Sequence, residues 1–237
     1  MKIALLGYGK MGKEIEKIAL ERNHEILLKI DSSEDWNNHI IDFLNADVAI
    51  EFSTPSTVLD NISKSFSAGV PIVIGTTAWY DQLDIIRELC IEKQQTMFYA
   101  SNFSVGVNMF FEINKKLAKL MNKHPEYEVF IEEIHHTQKL DAPSGTAITL
   151  ANDIMSNLSK KKVWKNEMTS EEAELGIKSI RESNVPGTHI ISYQSANDTI
   201  EIKHIANNRH GFAMGAILAA EFIAGKKGIY EMKDLLF

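Results

Sequence analysis

The first hundred residues alternate short apolar runs with longer segments whose apolar residues recur at helical spacing. Short continuous apolar runs are typical of strands that are buried on both faces. The pattern predicts helices over residues 10–22, 57–68 and 80–93, and strands over 2–7, 25–30, 46–52, 71–75 and 96–100. Alternation of this kind is typical of a parallel sheet covered by helices on both sides.

The pattern changes near residue 102. It predicts helices over 107–122 and 146–158, a strand over 127–135, and strands over 177–182, 189–194 and 199–204 that pair antiparallel. Residues 159–176 read as a solvated excursion, and the alanine-rich helix 211–223 is expected to pack back on the first sheet. We expect an α/β protein with an N-terminal Rossmann-type, doubly wound parallel sheet. An inserted α+β domain with a mixed or antiparallel sheet spans 103–208, and the first domain comprises 1–102 plus 209–237.

Composition narrows the class of protein. The chain has 237 residues, of which 44% are hydrophobic and 24% charged, as in ordinary globular proteins. Its net charge of −7 argues against a nucleic-acid partner, because such proteins usually carry a basic surface. The lone Cys90 excludes an internal disulfide or a multi-cysteine metal site. No apolar run approaches the roughly 18 residues of a membrane span. We therefore expect a cytoplasmic protein with no membrane partner.

A complete G-x-G-x-x-G motif follows the first predicted strand and opens the first predicted helix. Its residues are Gly7, Tyr8, Gly9, Lys10, Met11 and Gly12. The first glycine permits a tight turn, the second lets the backbone approach a pyrophosphate, and the third allows close packing of helix on sheet. The N-terminus of the helix supplies N–H groups for phosphates. The alternative is a glycine turn that binds nothing.

Asp31 ends the second strand, 19 residues after Gly12, where dinucleotide-binding domains place an acid on the ribose. A carboxylate there favours NADH, with NADPH also possible, and Lys10 offers a charge near the phosphates. No arginine follows Asp31; the next residues are Ser32 and Ser33. The alternative role for Asp31 is that of a turn-forming residue.

Two further segments end strands at the carboxyl edge of the predicted sheet, where ligands bind in folds of this class. Gly75, Thr76 and Thr77 offer two hydroxyls to a nicotinamide or ribose, or else a plain helix cap. After the fifth strand, Asn102 could bond a carboxamide and Phe103 could wall the pocket. The cofactor-binding candidates of this segment are Ala100, Ser101, Asn102 and Phe103.

The densest chemistry lies between residues 133 and 146. His135 and His136 are neighbours on a strand and point to opposite faces, so they can have different roles. Histidine suits proton transfer near neutral pH, and Lys139 offers a cation or a proton. The helix start at Ser144, Gly145 and Thr146 is a ready anion site.

Plainer roles compete with this interpretation. A single histidine is usually a structural hydrogen-bonding residue, and Lys139 could be a solvated surface residue. A zinc site is disfavoured because adjacent histidines on a regular strand rarely ligate one ion. We expect no metal.

The block H-H-x-x-K-x-D-A-P-S-G-T at residues 135–146 resembles the signature of the 4-hydroxy-tetrahydrodipicolinate reductase (dihydrodipicolinate reductase) family of bacterial lysine biosynthesis. Further similarities are the segments 7–12, 75–77, 102–108 and 212–216, with Arg209. The sequence departs from the family pattern at several positions. Its glycine loop is one residue shorter than the common form G-x-x-G-R-M-G, and Lys10 occupies the position where arginine is frequent. Glu51-Phe52-Ser53 occupies the position where the family usually has a stretch like Asp-Phe-Thr. Ser32 follows the acid of the second strand, where many members have a basic residue.

The resemblance implies NAD(P)H-dependent reduction in the diaminopimelate route to lysine. It implies that His135 donates and accepts the proton, that Lys139 is a proton donor, and that His136, Gly145 and Thr146 bind a dicarboxylate substrate. It also implies that residues 103–208 bind the substrate and form the contacts of a homotetramer. Two alternatives stay open: another imino- or amino-acid dehydrogenase, such as an aspartate dehydrogenase, and a non-catalytic NAD(H)-sensing protein.

Overall fold

The computed structural model describes all residues from Met1 to Phe237 and divides the chain into two compact units. The first comprises Met1–Val105 and Arg209–Phe237, and the second comprises Gly106–Asn208. This division lies three residues after the boundary expected at residue 102. The side chain of Phe103 is 2% exposed and belongs to the core of the first unit, which explains the difference.

A parallel six-stranded sheet forms the centre of the first unit, in the order β11-β5-β4-β3-β1-β2. Its strands are β1 (Lys2–Leu6), β2 (Glu25–Ile30), β3 (Val48–Glu51), β4 (Ile72–Ile74), β5 (Thr96–Tyr99) and β11 (Gly228–Tyr230). The inner strands are almost fully buried, as their continuous apolar runs predict. The expected doubly wound α/β fold is confirmed.

Helices cover both faces of this sheet. They are α1 (Lys10–Glu21), α2 (Ser33–Phe43), α3 (Val58–Ala68), α4 (Leu83–Glu92), α7 (His210–Ile223) and the short α8 (Met232–Leu236). One face packs against α2, α3 and α4, and the other against α1 and α7. The alanine-rich helix thus returns to the first sheet as predicted. Its Gly215 touches the backbone of Phe103 so closely that a Cβ atom would lie 1.8 Å from the carbonyl oxygen.

The second unit holds a mixed five-stranded sheet in the order β10-β9-β6-β8-β7. Its elements are α5 (Val105–Met121), β6 (Glu128–His135), α6 (Gly145–Asn157), β7 (Val163–Lys165), β8 (Glu174–Arg181), β9 (Gly187–Gln194) and β10 (Thr199–Ala206). Strands β9 and β10 pair antiparallel, as expected, but β8 runs parallel to β6. Helices α5 and α6 cover one face of the sheet and form the core of the unit with it.

Residues 159–176 are more ordered than a solvated excursion. They contain β7, which pairs with β8, and the first residues of β8 itself. Lys161 is 3% exposed, and its ammonium group lies 2.8 Å from a carboxylate oxygen of Glu128. The neighbouring Lys160 donates to the carbonyl groups of Pro125 and Tyr127. These lysines therefore fasten the segment to the start of β6.

Candidate functional site

The register of the second sheet brings together four polar side chains that are far apart in sequence. Glu133 and His135 lie on one face of β6 because strand residues two apart share a face. On β9, His189 pairs with Glu133, and on β8, Arg181 pairs with His135. We call this set, Glu133, His135, Arg181 and His189, the β-sheet cluster. Only His135 among these four residues was predicted as a site residue.

Glu133 is fully buried and is held by several donors. The backbone N–H of Ser144 donates to both carboxylate oxygens at 3.1 Å, and Arg181 Nη2 lies 3.2 Å from Oε1. Burial raises the pKa of Glu133, but hydrogen bonds from Ser144 and Ser179 outweigh that effect and leave the pKa below its ordinary value. Glu133 is therefore a fixed anion in the interior.

His135 lies beside this anion. Its Nδ1 is enclosed, forms no hydrogen bond and lies 3.4 Å from Glu133 Oε2, and the side chain is 9% exposed. Its Nε2 side lies over Gly187, where a Cβ atom would come within 3.1 Å of Nε2. Burial lowers the pKa of His135, helped by the charges of Lys139 and Arg181 and opposed by Glu133. The imidazole is consequently neutral at rest near pH 7.

Ser144 has a different task from the predicted contact with a substrate. Its hydroxyl caps helix α6 by accepting from the Ala147 N–H at 3.2 Å, and it lies 3.1 Å from His189 Nε2. The residue is only 2% exposed, so this hydroxyl does not reach a ligand. The next residue, Gly145, is exposed, and Thr146 follows in the same first turn. An exposed helix start of this kind presents backbone N–H groups that suit an anion.

Lys139 and His136 lie in the segment between β6 and α6. The ammonium group of Lys139 donates to both carboxylate oxygens of Asp141 at 2.8 Å. This pair is accessible, because the Asp141 side chain is 59% exposed and that of Lys139 is 22% exposed. His136 directly follows β6 and is half-buried, with an enclosed Nδ1 that has no hydrogen-bond partner. Lys139 is thus an exchangeable cation, since a ligand carboxylate can replace Asp141.

Three residues of the β-sheet cluster could in principle hold a metal ion. Ligand atoms of Glu133, His135 and His189 all lie within 4.8 Å of one another. However, the carboxylate already accepts from Ser144 and Arg181, and a guanidinium group beside it repels a second cation. The donor set therefore suits a hydrogen-bonded carboxylate better than a metal centre.

In the first unit, the predicted glycine motif lies where dinucleotide-binding folds place it. It joins β1 to α1, beside the switch point between β1 and β3 at which the strand order reverses. Gly7 has a φ of +93°, and a Cβ atom there would come within 2.2 Å of the Phe52 carbonyl oxygen. A Cβ atom on Gly12 would lie 2.5 Å from the Gly7 carbonyl oxygen. Both positions require glycine for packing.

Gly9 differs, because a Cβ atom there would meet no heavy atom within 4 Å. It precedes α1, whose first turn has no side-chain cap and no acidic residue. Packing within the chain does not require this glycine, and the exposed helix start fits an anionic ligand. Tyr8, Lys10 and Met11 are all at least partly exposed in the same loop. The arrangement fits the pyrophosphate of a dinucleotide.

The other predicted cofactor residues end β2, β4 and β5 at the same edge of the sheet. Asp31 is exposed, and its Oδ1 accepts from the Tyr8 N–H at 2.8 Å. The Thr76 hydroxyl is buried and accepts from the Ser53 N–H at 2.9 Å. The Asn102 Oδ1 accepts from the Ser104 N–H at 2.9 Å. Gly75, Thr77, Ala100 and Ser101 are at least partly exposed.

The expectation that Phe103 walls a pocket is wrong for its side chain, which is buried in the core against α7. The partly exposed ring at this edge is that of Phe52, whose centroid lies 5.6 Å from that of Phe103. It also lies so close to Gly75 that a Cβ atom there would come within 2.2 Å of it. Phe52 is not among the predicted site residues, although its place directly after β3 at the switch point is a signal for a role in the site.

Two comparisons decide the family. Sequence profiles described as "Dihydrodipicolinate reductase, N-terminus" and "Dihydrodipicolinate reductase, C-terminus" match residues 1–103 and 106–236. The chain belongs to the dihydrodipicolinate reductase family. It contains both halves of the family's architecture, and together these matches cover nearly all of the sequence.

Two relatives match this chain over nearly their full length. A 4-hydroxy-tetrahydrodipicolinate reductase from Christiangramia forsetii is 50% identical over 236 residues, which cover 100% of this chain and 98% of the relative. One from Staphylococcus saprophyticus is 34% identical, over 99% of this chain and 100% of the relative. A solved dipicolinate-bound dihydrodipicolinate reductase from Paenisporosarcina sp. TG-14 is 23% identical, with a TM-score of 0.75 over 98% of this chain and 97% of that one. It shows that the fold is shared.

Membership of the dihydrodipicolinate reductase family identifies the chain as an oxidoreductase with a Rossmann-type domain for a nicotinamide dinucleotide. No helix in the structure combines the length and the apolar composition that a membrane span requires.

Proposed function

We propose that the chain reduces 4-hydroxy-tetrahydrodipicolinate to tetrahydrodipicolinate, with loss of water, in the diaminopimelate route to lysine. The observation that carries this proposal is the arrangement around residues 133–146 within a chain of the dihydrodipicolinate reductase family. There, a histidine beside a buried carboxylate, an exchangeable lysine and an exposed helix start occur within 14 residues. A proton-transferring group and two anion-binding groups suit a dicarboxylate whose ring takes up a hydride and a proton.

The first unit would hold the cofactor, which supplies a hydride when it is bound. The N–H groups at the start of α1 would bind its pyrophosphate beside Gly9, and Asp31 would accept from ribose hydroxyls. Residues 75–77 and 100–103 would line the nicotinamide end, the latter through main-chain groups at Phe103.

We propose NADH as the preferred cofactor, although NADPH can also serve. Asp31 is exposed at the end of β2, and a 2′-phosphate would meet its negative charge. The nearby ammonium group of Lys29 is already paired with Glu16 at 2.6 Å, so it offers little compensation. Ser32 follows Asp31 and caps helix α2 by accepting from the Asp35 N–H at 3.1 Å.

The second unit would bind the substrate and manage its protons. One carboxylate would displace Asp141 from Lys139, and the other would accept from the N–H groups of Gly145 and Thr146, with His136 nearby. Negative charge beside an imidazole raises its pKa. Substrate binding would therefore favour the charged form of His135, which then donates its proton from Nε2, and Lys139 would be a second proton donor.

A coupled assay tests the activity. The substrate is generated in situ by the preceding condensation enzyme, and the loss of NADH or NADPH absorbance is followed. We expect turnover with both cofactors and a kcat/KM for NADH at least equal to that for NADPH. The His135→Gln and Lys139→Ala variants should lose about 10²-fold or more in kcat and still bind NADH.

Near-normal turnover in both variants would refute the catalytic assignment. A strong preference for NADPH would refute the role of Asp31. Turnover of aspartate or another amino acid, with no activity on the proposed substrate, would favour an amino-acid dehydrogenase. NADH binding without turnover of either would favour a sensor protein.

We also propose a homotetramer located in the cytoplasm. The edge strand β10 exposes Ile200 and Ile205, which are 39% and 56% accessible, and apolar groups at a sheet edge favour association. The single thiol, on Cys90, suits a reducing compartment. Light scattering coupled to size-exclusion chromatography measures the assembly, and a monomer at micromolar concentration would contradict it.

A further inference from the structure

We propose that Glu133 is a positioning residue for proton transfer: a buried anion, fixed by α6 and β8, that holds His135 with Nδ1 toward the carboxylate and Nε2 toward the substrate. The proposal rests on the proposed function for its kinetic part. It gives a role to a residue outside the segment 135–146. Glu133 is fully buried, so it would act through His135 and not by direct contact with the substrate.

The position of the carboxylate is fixed from two sides. The Ser144 N–H donates to both of its oxygens, and Arg181 Nη2 donates to Oε1. The guanidinium is fixed in turn, because it also donates to the carbonyl groups of Asp141 at 2.7 Å and Ile180 at 2.9 Å. An anion held by a strand neighbour and a helix start has little freedom to follow a moving imidazole. It therefore sets the orientation of the ring rather than adapting to it.

The ring of His135 is oriented by what lies on each side of it. Nδ1 is enclosed, forms no hydrogen bond and lies 3.4 Å from Glu133 Oε2, whereas Nε2 packs over the backbone of Gly187. A carboxylate beside Nδ1 favours the tautomer with the proton on Nδ1 and stabilises the imidazolium that forms during proton transfer. The same logic operates in catalytic triads, where the acid holds the histidine in its working tautomer.

His189 completes the surroundings without adding charge. Its ring meets that of His135 edge-on, with centroids 5.1 Å apart. Burial, with His135 nearby, lowers the pKa of His189 to about 3, so it is neutral. Its Nε2 lies 3.1 Å from the Ser144 hydroxyl and 3.8 Å from Glu133. His189 thus packs the carboxylate against the helix start and does not compete with His135 for a proton.

Ser144 links this arrangement to substrate binding. Its N–H holds Glu133, its hydroxyl caps α6, and the next N–H belongs to Gly145, at the start of the helix that binds a substrate carboxylate in the proposed function. A shift of this helix start would therefore move Glu133 and, with it, His135. The geometry couples the position of the bound anion to the position of the proton-transferring ring.

Substitution of Glu133 tests the proposal, with Glu132→Gln as the matched control. Glu132 lies one residue away on the opposite face of β6, where it pairs with the exposed Lys178 at 3.1 Å. Glu133→Gln removes the charge at nearly constant shape. Glu133→Asp keeps the charge but withdraws it from His135. Each protein is first compared with the wild type by thermal unfolding, size-exclusion chromatography and NADH binding, so that kcat refers to folded enzyme.

We expect kcat to fall about 10²-fold in Glu133→Gln and severalfold in Glu133→Asp, with NADH affinity within twofold of the wild type. Glu132→Gln should keep the wild-type kcat within twofold. A folded Glu133→Gln variant with kcat within threefold of the wild type would overturn the proposal. If that variant does not fold, a wild-type kcat in Glu133→Asp would do the same.

The titration of His135, followed by NMR of ¹⁵N-labelled imidazole, gives a readout that does not depend on turnover. The charged groups near the ring are Glu133, Arg181, Lys139 and Asp141, and His189 is neutral. Loss of the Glu133 charge should lower the pKa of His135 and reduce the population of the Nδ1–H tautomer. An unchanged pKa and tautomer in Glu133→Gln would overturn the proposal, even if the wild type reduces a different substrate.

Discussion

Gly9 lies in open space, whereas Gly12 of the same motif is tightly packed, and this difference predicts how the Gly9→Ala variant behaves. Gly9 has a φ of −77° and a ψ of −150°, which is extended backbone that alanine adopts, and its new methyl group would meet no atom of the chain within 4 Å. Replacing glycine at a compatible position stabilises a protein by about 0.4–1 kcal/mol, because it restricts the unfolded chain. We therefore expect an unfolding free energy equal to or slightly above that of the wild type.

Cofactor binding should respond in the opposite direction. The methyl group would lie where the pyrophosphate approaches the backbone in the proposed complex. Crowding by one methyl group in a closely packed site costs about 1–3 kcal/mol. Since 1.4 kcal/mol corresponds to a factor of ten, the Kd for NADH should rise about fivefold to 150-fold. Gly9→Ala is thus predicted to be stable but weak in cofactor binding.

Gly12→Ala is the matched comparison in the same loop. Its Cβ atom would lie 2.5 Å from the Gly7 carbonyl oxygen, so the first turn of α1 would have to shift. That strain lowers the free energy of unfolding by about 1–3 kcal/mol. The higher helix propensity of alanine offsets at most about 1 kcal/mol of this loss. Calorimetric melting and NADH titration of both variants separate the two effects. A Gly9→Ala variant that binds NADH within twofold of the wild type would refute the location of the pyrophosphate.

Two further predictions concern stability. Burial raises the pKa of Glu51, so this carboxyl binds its proton more tightly in the folded state than in the unfolded state. The resulting stabilisation is fully present below the ordinary pKa of about 4.5 and is lost as the pH rises through the folded-state pKa. Glu51→Gln should flatten the decline of melting temperature between pH 4 and 8, and an unchanged pH dependence would contradict this. Gly215→Ala should cost about 3 kcal/mol or more, because its Cβ atom would lie 1.8 Å from the Phe103 carbonyl oxygen. Gly211→Ala on the same helix meets nothing closer than 3.9 Å and should melt within about 2 °C of the wild type.

The sequence was most informative where a segment is apolar and fully buried. Strands β1, β3, β4 and β5 are mostly apolar, whereas β2 carries the exposed Glu25 and Lys29; the alternation of these strands with helices predicts the parallel sheet. Helix α2 was missed because it buries mainly Trp36 and Phe43 and exposes Ile40 and Ile41, so its pattern lacks a clear apolar face. Strands β7 and β11 were missed because each has only three residues at a sheet edge, where pairing rather than burial defines the strand.

The candidate site was predictable only as far as local spacing extends. The motif predicts the site residues that lie within one segment, His135 to Thr146. Glu133 shares a face with His135 by the two-residue period of a strand, but its complete burial depends on α6 and β8. Arg181 and His189 lie 48 and 56 residues beyond Glu133, and only the strand register brings them to it. Register of that kind follows from the packing of the whole sheet.

The net charge of −7 says little about the candidate site, because the charges of the second unit are balanced locally. Within the β-sheet cluster, Arg181 compensates Glu133, and both imidazoles are neutral at rest. Lys139 is compensated in turn by the exposed Asp141. The site therefore holds no uncompensated cation for a dianionic substrate. Under the proposed function, the substrate must release Asp141 and favour a proton on His135. Substrate binding then produces the acid that the reaction uses, the imidazolium of His135. The fixed negative charge of Glu133 stabilises this imidazolium in a buried site.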